Sequence, residues 1–391
     1  MLKGESNMQK SKKQDFNKED RRRLELNIFK ANMGDSNAMY GVASMHRQGI
    51  ACKHDFGIAQ EYYLKAIQKG NAKAALELAF MYRNGMRRDF DTQKEYLDYI
   101  NTMPKSAQIE RDFNKATEYF ILAYELGYLP TGKSYHPLEL AFLCCPREGP
   151  NNPYAKHLVD VVRQNLGNDL MATFVYARCL EMGVGIEMDK TKAEMLYSYC
   201  DDKGYNYATL CLAWLYFDGE QRGMDQNKAF ALFKKLAKQD VADAYAGLGM
   251  CYRNGIGTPI DFENAVKAWE KGATLNSGKC CYHLANCYFE GLLVGVDFKK
   301  GVQLLTKGAN LNNRHCAKEL GECYYMGKGV PMDILASMKC FNLASERGSH
   351  EGDEWLESYC LSENLSKDQL GILLDSHPLK LGRTCKTPKT N

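Results

Sequence analysis

Residues 127–134, GYLPTGKS, satisfy the pattern G-x-x-x-x-G-K-[ST], in which backbone N–H groups cradle phosphates and a lysine, here Lys133, reaches them. That chemistry needs a buried strand before the loop and a helix after it. The preceding NKATEYFILAYELG instead has the apolar spacing of a helix, and Gly127 serves as its stop. Pro130 disfavours the loop, and His136-Pro137 opens a new helix. No parallel-sheet pattern accompanies it, so no nucleotide or other cofactor is expected.

Fifteen cysteines and eight histidines raise metal binding or disulfides next. Cys280, Cys281, His283 and Cys287 on one helix, with His315, Cys316 and Cys323 on the following one, form the densest set of soft ligands. No C-x-x-C spacing is present, and Cys280 and Cys316 stand where other copies of the same segment carry alanine. Cys179, Cys251, Cys287 and Cys323 share a position that elsewhere holds Met81 or Leu215, which marks a small buried hydrophobe. No metal site is expected. There is no H-E-x-x-H and no G-x-S-x-G, so no catalytic residue is assigned.

The elements that carry these residues recur. A glycine falls at 183, 219, 255, 291 and 327, always 36 residues apart, and again at 49 and 85. Three residues before it stands Tyr82, Tyr216, Tyr252, Tyr288 or Tyr324; six after it stands Asp55, Asp189, Asp225, Asp261, Asp297 or Asp333. Before the glycine, a small residue at −11, leucine at −7, Ala or Gly at −6 and tyrosine at −3 share one helix face. The glycine ends that helix, the aspartate caps the next, and a large residue at +14 (Tyr63, Tyr197, Phe233, Trp269, Leu305 or Phe341) faces back. One such pair cannot bury its apolar face alone; stacked copies bury one another. The expected fold is therefore all-α, a right-handed α-solenoid of stacked helix pairs. Positions 70, 127, 167, 204, 240, 276, 312 and 348 should end the second helices, giving eight repeats, one of them long by about 21 residues.

The expected layout runs from a polar basic tail, residues 1–20, read as disordered, to repeats over 21–348. An insertion lies near 86–111 and a divergent repeat near 128–167. Capping helices follow over 349–376, then a second basic tail, 377–391, read as disordered. Residues 1–23 and 378–391 carry +4 each within a net charge of +3, which leaves an acidic body and argues against nucleic acid as partner. No apolar run reaches membrane-spanning length, and the N-terminal stretch lacks the apolar core of a signal peptide. A cytoplasmic location is the expectation, with export by another route left open.

The copy AYAGLGMCYRNGIGTPIDFENAVKAWEKGA, from Ala244, resembles the Sel-one-like repeat, a branch of the tetratricopeptide superfamily, and the resemblance covers residues 34–348. It implies a protein–protein interaction scaffold or adaptor, not an enzyme. The alternative is an enzyme or enzyme regulator with active residues in the irregular region 86–168. Some cysteine-rich members staple each repeat with a second cysteine eight residues from the first; Cys281 would need its partner at Ala273, which does not supply one. The resemblance also implies that first helices line the concave side. The helix face left free by packing would then present a groove of Phe174, Arg178, Tyr207, Trp214, Phe217, Arg253, Tyr282, Phe289 and Tyr325 to a protein or peptide partner. Trp214, Phe217, Arg253 and Phe289 form its expected centre.

Overall fold

The structure is a computed structural model that describes residues 17–85, 109–128, 130, 136–145, 151–218, 225–292, 295–363, 365–379 and 381. All regular structure among them is helical. The described residues form two compact units, 17–188 and 189–381.

The first unit contains α1 (Lys18–Asn32), α2 (Ser36–Gln48), α3 (Phe56–Gln68), α4 (Ala72–Asn84), α5 (Phe113–Glu125), α6 (Pro137–Cys144), α7 (Pro153–Gln164) and α8 (Leu170–Met182). The second contains α9 (Lys190–Asp202), α10 (Asn206–Asp218), α11 (Gln226–Ala237), α12 (Ala244–Asn254), α13 (Phe262–Thr274) and α14 (Gly278–Glu290). It continues with α15 (Phe298–Asn310), α16 (Arg314–Met326), α17 (Ile334–Glu346), α18 (His350–Ser362) and α19 (Lys367–Ser376). Helix follows helix in the stack: α12 packs on α13, α13 on α14, α14 on α15, and so on to α18. This is the solenoid of helix pairs that the 36-residue period requires.

The repeated residues do what their chemistry dictates. The aspartate carboxylates accept from the third amide of the second helix, as Asp261 does from Asn264 N–H at 2.9 Å and Asp297 from Lys300 N–H at 2.9 Å. That bond and the helix dipole favour the ionised carboxyl, so Asp261 is held below the usual carboxylate range, the bond from the Asn264 amide being the main cause. The amide of the same aspartate closes the turn onto the first helix: Asp261 N–H donates to the Tyr252 carbonyl at 2.8 Å, and Asp333 N–H to Tyr324 at 2.9 Å. The first repeat makes the bond to His46 at 3.0 Å, so the turn depends on the backbone and not on tyrosine.

The long repeat obeys the same rule across its insertion. Asp112 N–H donates to the Tyr82 carbonyl at 2.8 Å, and its carboxylate caps α5 through Lys115 N–H at 2.9 Å. Asp112 thus occupies the capping position, displaced by 21 residues from where the period would put it. The inserted residues 86–108 lie outside the described ones. The expected second-helix stops all take positive φ, with Asp240, Asn276 and Asn312 among the few non-glycine residues that do so.

The side chains at +14 are all buried, Trp269 at 1% exposed and Phe233 and Leu305 at 0%. The small residue at −6 is the other half of that contact. A Cβ on Gly249 would lie 2.2 Å from the Trp269 Nε1, whereas Leu305 packs in a cluster with Ala285. The second glycine of the turn fits helix pairs together, since a Cβ on Gly257 would meet the Gln226 carbonyl oxygen at 2.2 Å.

The C-terminal boundary differs from the expected one. His377, Leu379 and Leu381 are held against the second unit instead of starting a free tail. His377 Nε2 donates to Asp333 Oδ2 at 3.0 Å, while its Nδ1 accepts from Leu379 N–H at 3.2 Å. Lys339 Nζ donates to the His377 and Leu379 carbonyls at 2.7 and 3.2 Å, and both leucines pack on the core.

Candidate functional site

The face of the second unit that packing leaves free is carried by α10, α12, α14 and α16. Neighbouring first helices touch directly, α12 with α14 and α14 with α16, so residues at equal offsets stand in rows. Tyr207 is 63% exposed and Tyr325 51%, and Arg253 is exposed as well. Trp214 and Tyr282 are half-buried. Tyr282 packs near His283 and His315, with ring centroids 5.4 and 5.6 Å away. Tyr325 meets Trp355 edge-on at 5.7 Å.

Four of the expected groove residues take other roles. Phe174, at 3% exposed, is core in the first unit. Arg178, in the same unit, lies over the Phe142 ring at 5.0 Å and pairs with Glu181 at 3.6 Å. Phe217 packs toward Phe233, with centroids 6.3 Å apart. Phe289 stacks on Phe298 at 6.2 Å and fills the space over Gly301, where a Cβ would come within 2.5 Å of its ring. Phe217 and Phe289 turn onto the second helix of their own pair, although Arg253 and Tyr325 at the same offset stay at the surface. Trp214 is intermediate. Its ring meets Phe233 at 4.9 Å, yet its indole N–H is covered and finds no acceptor among the described residues.

The electrostatics of the face were not read from the sequence. Lys279 Nζ lies 3.4 Å from Asp243 Oδ2 and 5.7 Å from the Trp214 ring centroid, linking three helices. His283, a residue of the soft-ligand cluster, stacks on Trp269 at 5.2 Å instead of facing a metal partner. Its pKa is pushed down to about 4 by burial first, then by Arg253, His315 and Lys279. Burial likewise lowers His315, with Arg314 and Lys318 acting in the same direction and Glu351 against them. On α16, Lys318 is surrounded by Glu319, Glu322 and Glu351 at 3.7, 3.5 and 3.4 Å. The face is therefore cationic around α12 and α14 and acidic beyond His315.

Among the described residues no group of three or more His, Cys, Asp or Glu is arranged to hold a metal, and no disulfide joins the fourteen described cysteines. Burial pushes the Cys251 and Cys280 thiols up to about 12. Among the described residues of the irregular region, Tyr124 O–H donates to Asp169 Oδ2 at 2.7 Å and packs 5.6 Å from His136. Asp169 caps α8 and His136 caps α6, so both are committed to helix starts. Lys133 of the phosphate-loop match lies outside the described residues; the element before it is α5, a helix. No helix among the described residues is long and apolar enough to cross a membrane.

Comparison with known proteins agrees with this architecture. The Sel1 repeat model matches residues 36–71, 72–93, 105–128, 170–199, 205–241, 242–277, 278–313 and 315–349. The long repeat is matched in two pieces around its insertion, and the pair α6–α7 is passed over. A Sel1 repeat protein from Oxalobacter formigenes is 18% identical, with a TM-score of 0.42, over 86% of this chain and 79% of its own. Cysteine rich protein B of Helicobacter pylori is 25% identical, with a TM-score of 0.30, over 35% of this chain and 99% of its own. An immunity protein from Pseudomonas aeruginosa is 16% identical, with a TM-score of 0.38, over 65% of this chain and 92% of its own. No curated protein matches. With eight matched repeats covering more than half of its length, the chain belongs to the Sel1 repeat family, whose members are generally protein–protein interaction scaffolds.

Proposed function

We propose that this chain is a non-enzymatic adaptor that binds a peptide or protein partner on the first-helix face of its second unit, centred on Trp214, Arg253 and Tyr282. One observation carries the reading. Tyr207, Trp214, Arg253, Tyr282 and Tyr325 stand exposed or half-exposed on one face of α10, α12, α14 and α16, beside offsets that are fully packed. Tryptophan, tyrosine and arginine are the residue types that dominate interface energy, and Tyr207 and Arg253 in particular stand outside the core.

Site-specific photocrosslinking tests it. A crosslinker at 207, 253 or 325 should trap a discrete partner in the native host, whereas one at exposed Lys299 on α15 should not. Equal trapping from position 299, or none from the face, would sink the assignment. Arg253→Ala should weaken capture by about 1–3 kcal/mol with its melting temperature unchanged, because the side chain is exposed.

A further inference from the structure

We propose that the part of this face around Arg253, Lys279, His283 and His315 takes an acidic, extended peptide segment, whose carboxylates pair with Arg253 and Lys279 while its apolar positions lie on Tyr282 and Trp214. The inference rests on the binding face proposed above and names the chemistry of its partner.

Three observations converge. Arg253 is exposed and forms no ion pair with any described residue, so it is a cation available to a ligand. Lys279 shares its one close carboxylate, Asp243, with the Ser277 hydroxyl, which donates to it at 2.7 Å. His283, near both, is held neutral mainly by burial, with Arg253, His315 and Lys279 acting in the same direction. The charged groups around it are Arg253 on α12, Asp243 at the α12 N-cap, Lys279 on α14 itself, and Arg314 and Lys318 beside His315 on α16. The three glutamates around Lys318 bound the patch on the far side. A long polyanion such as nucleic acid would run into them. A short run of carboxylates spaced by apolar residues would not, and the rings of Trp214, beside Lys279, and of Tyr282 on the same helix as Lys279 supply the apolar contact.

The test uses the full chain and a fluorescein-labelled, C-terminally amidated ten-residue peptide of the repeat Glu-Glu-Leu-Leu, which in an extended chain puts Glu and Leu on the same face. Its Lys/Leu counterpart serves as control. Anisotropy should show saturable binding of the Glu/Leu peptide, weakened at least tenfold in 0.5 M NaCl and at least tenfold by Arg253→Glu. The same charge change at exposed Lys299 should leave it within twofold. In an NMR titration the bound peptide should raise the His283 pKa, since an added anion favours the charged ring. No saturable binding, equal binding of the Lys/Leu peptide, indifference to Arg253→Glu, or binding only by a phosphorylated peptide would overturn the proposal. If crosslinks still arise from position 253 while the acidic peptide fails to bind, the partner chemistry is wrong and the binding face stands. If both fail, the face itself is wrong.

Discussion

His283 shows how one side chain joins packing to electrostatics. The ring lies flat on buried Trp269, and burial together with Arg253, His315 and Lys279 lowers its pKa to about 4. A base with a lowered folded pKa contributes its full stability above the ordinary histidine value. It loses that contribution as the pH falls from about 6.5 toward 4. The loss at pH 4 should be about 1–2 kcal/mol, because solvent reaches part of the ring. Urea midpoints between pH 7 and 4 measure it, and His283→Phe, which keeps the stack, should flatten that part of the profile. An NMR titration with a midpoint near 6.5 would show that the ring is solvated.

At the scale of helices, the period is maintained by two fitted contacts: a capping aspartate whose amide closes the turn, and a large +14 side chain seated on a small −6 residue. Trp269 faces Gly249 and Phe341 faces Gly321, at 3.1 Å from where a Cβ would stand, whereas Leu305 shares its cluster with Ala285 and Phe233 with Ala213. Gly249→Ala should therefore destabilise by about 1–3 kcal/mol, since the indole is rigid and buried. Gly321→Ala, with the looser fit, should cost less. In a double-mutant cycle, Trp269→Leu should make the Gly249→Ala substitution nearly neutral, a coupling above about 1 kcal/mol. Additive losses in chemical denaturation would show that the two positions do not meet.

For the molecule as a whole, a stack of helix pairs has an unpaired last surface, and this chain covers part of it with its own C-terminal residues. Leu379 and Leu381 lie on the core, and the Lys339 ammonium is satisfied by two carbonyls of the same segment. Ending the chain at Ser376 should leave that ammonium half-buried without its acceptors and expose apolar surface. The expected cost is about 1–3 kcal/mol, visible as a lower melting temperature and faster amide exchange in α17. Lys339→Met in the truncated chain should recover part of the loss, because it removes the unsatisfied charge. A truncated chain that melts like the full one would show the segment to be a spectator.

What the sequence determined by itself is what repeats: the helix pairs, the caps, the left-handed stops and the buried +14 residues all follow from local rules applied at a fixed spacing. Asp112 was legible only in part, since the period breaks there and the restored turn bond appears in three dimensions alone. The proposed binding face was half legible. Offsets mark which side of a helix faces its partner, but not how far a ring at the edge of that side reaches. Phe289 and Phe217 turn onto the second helix of their own pair, toward Phe298 and Phe233, while Tyr207, Arg253 and Tyr325 remain at the surface. Charge around His283 was legible only in part: Lys279 is four residues before it on the same helix and shares its offset with His315, whereas the approach of Arg253, from a different offset on a third helix, is a tertiary contact.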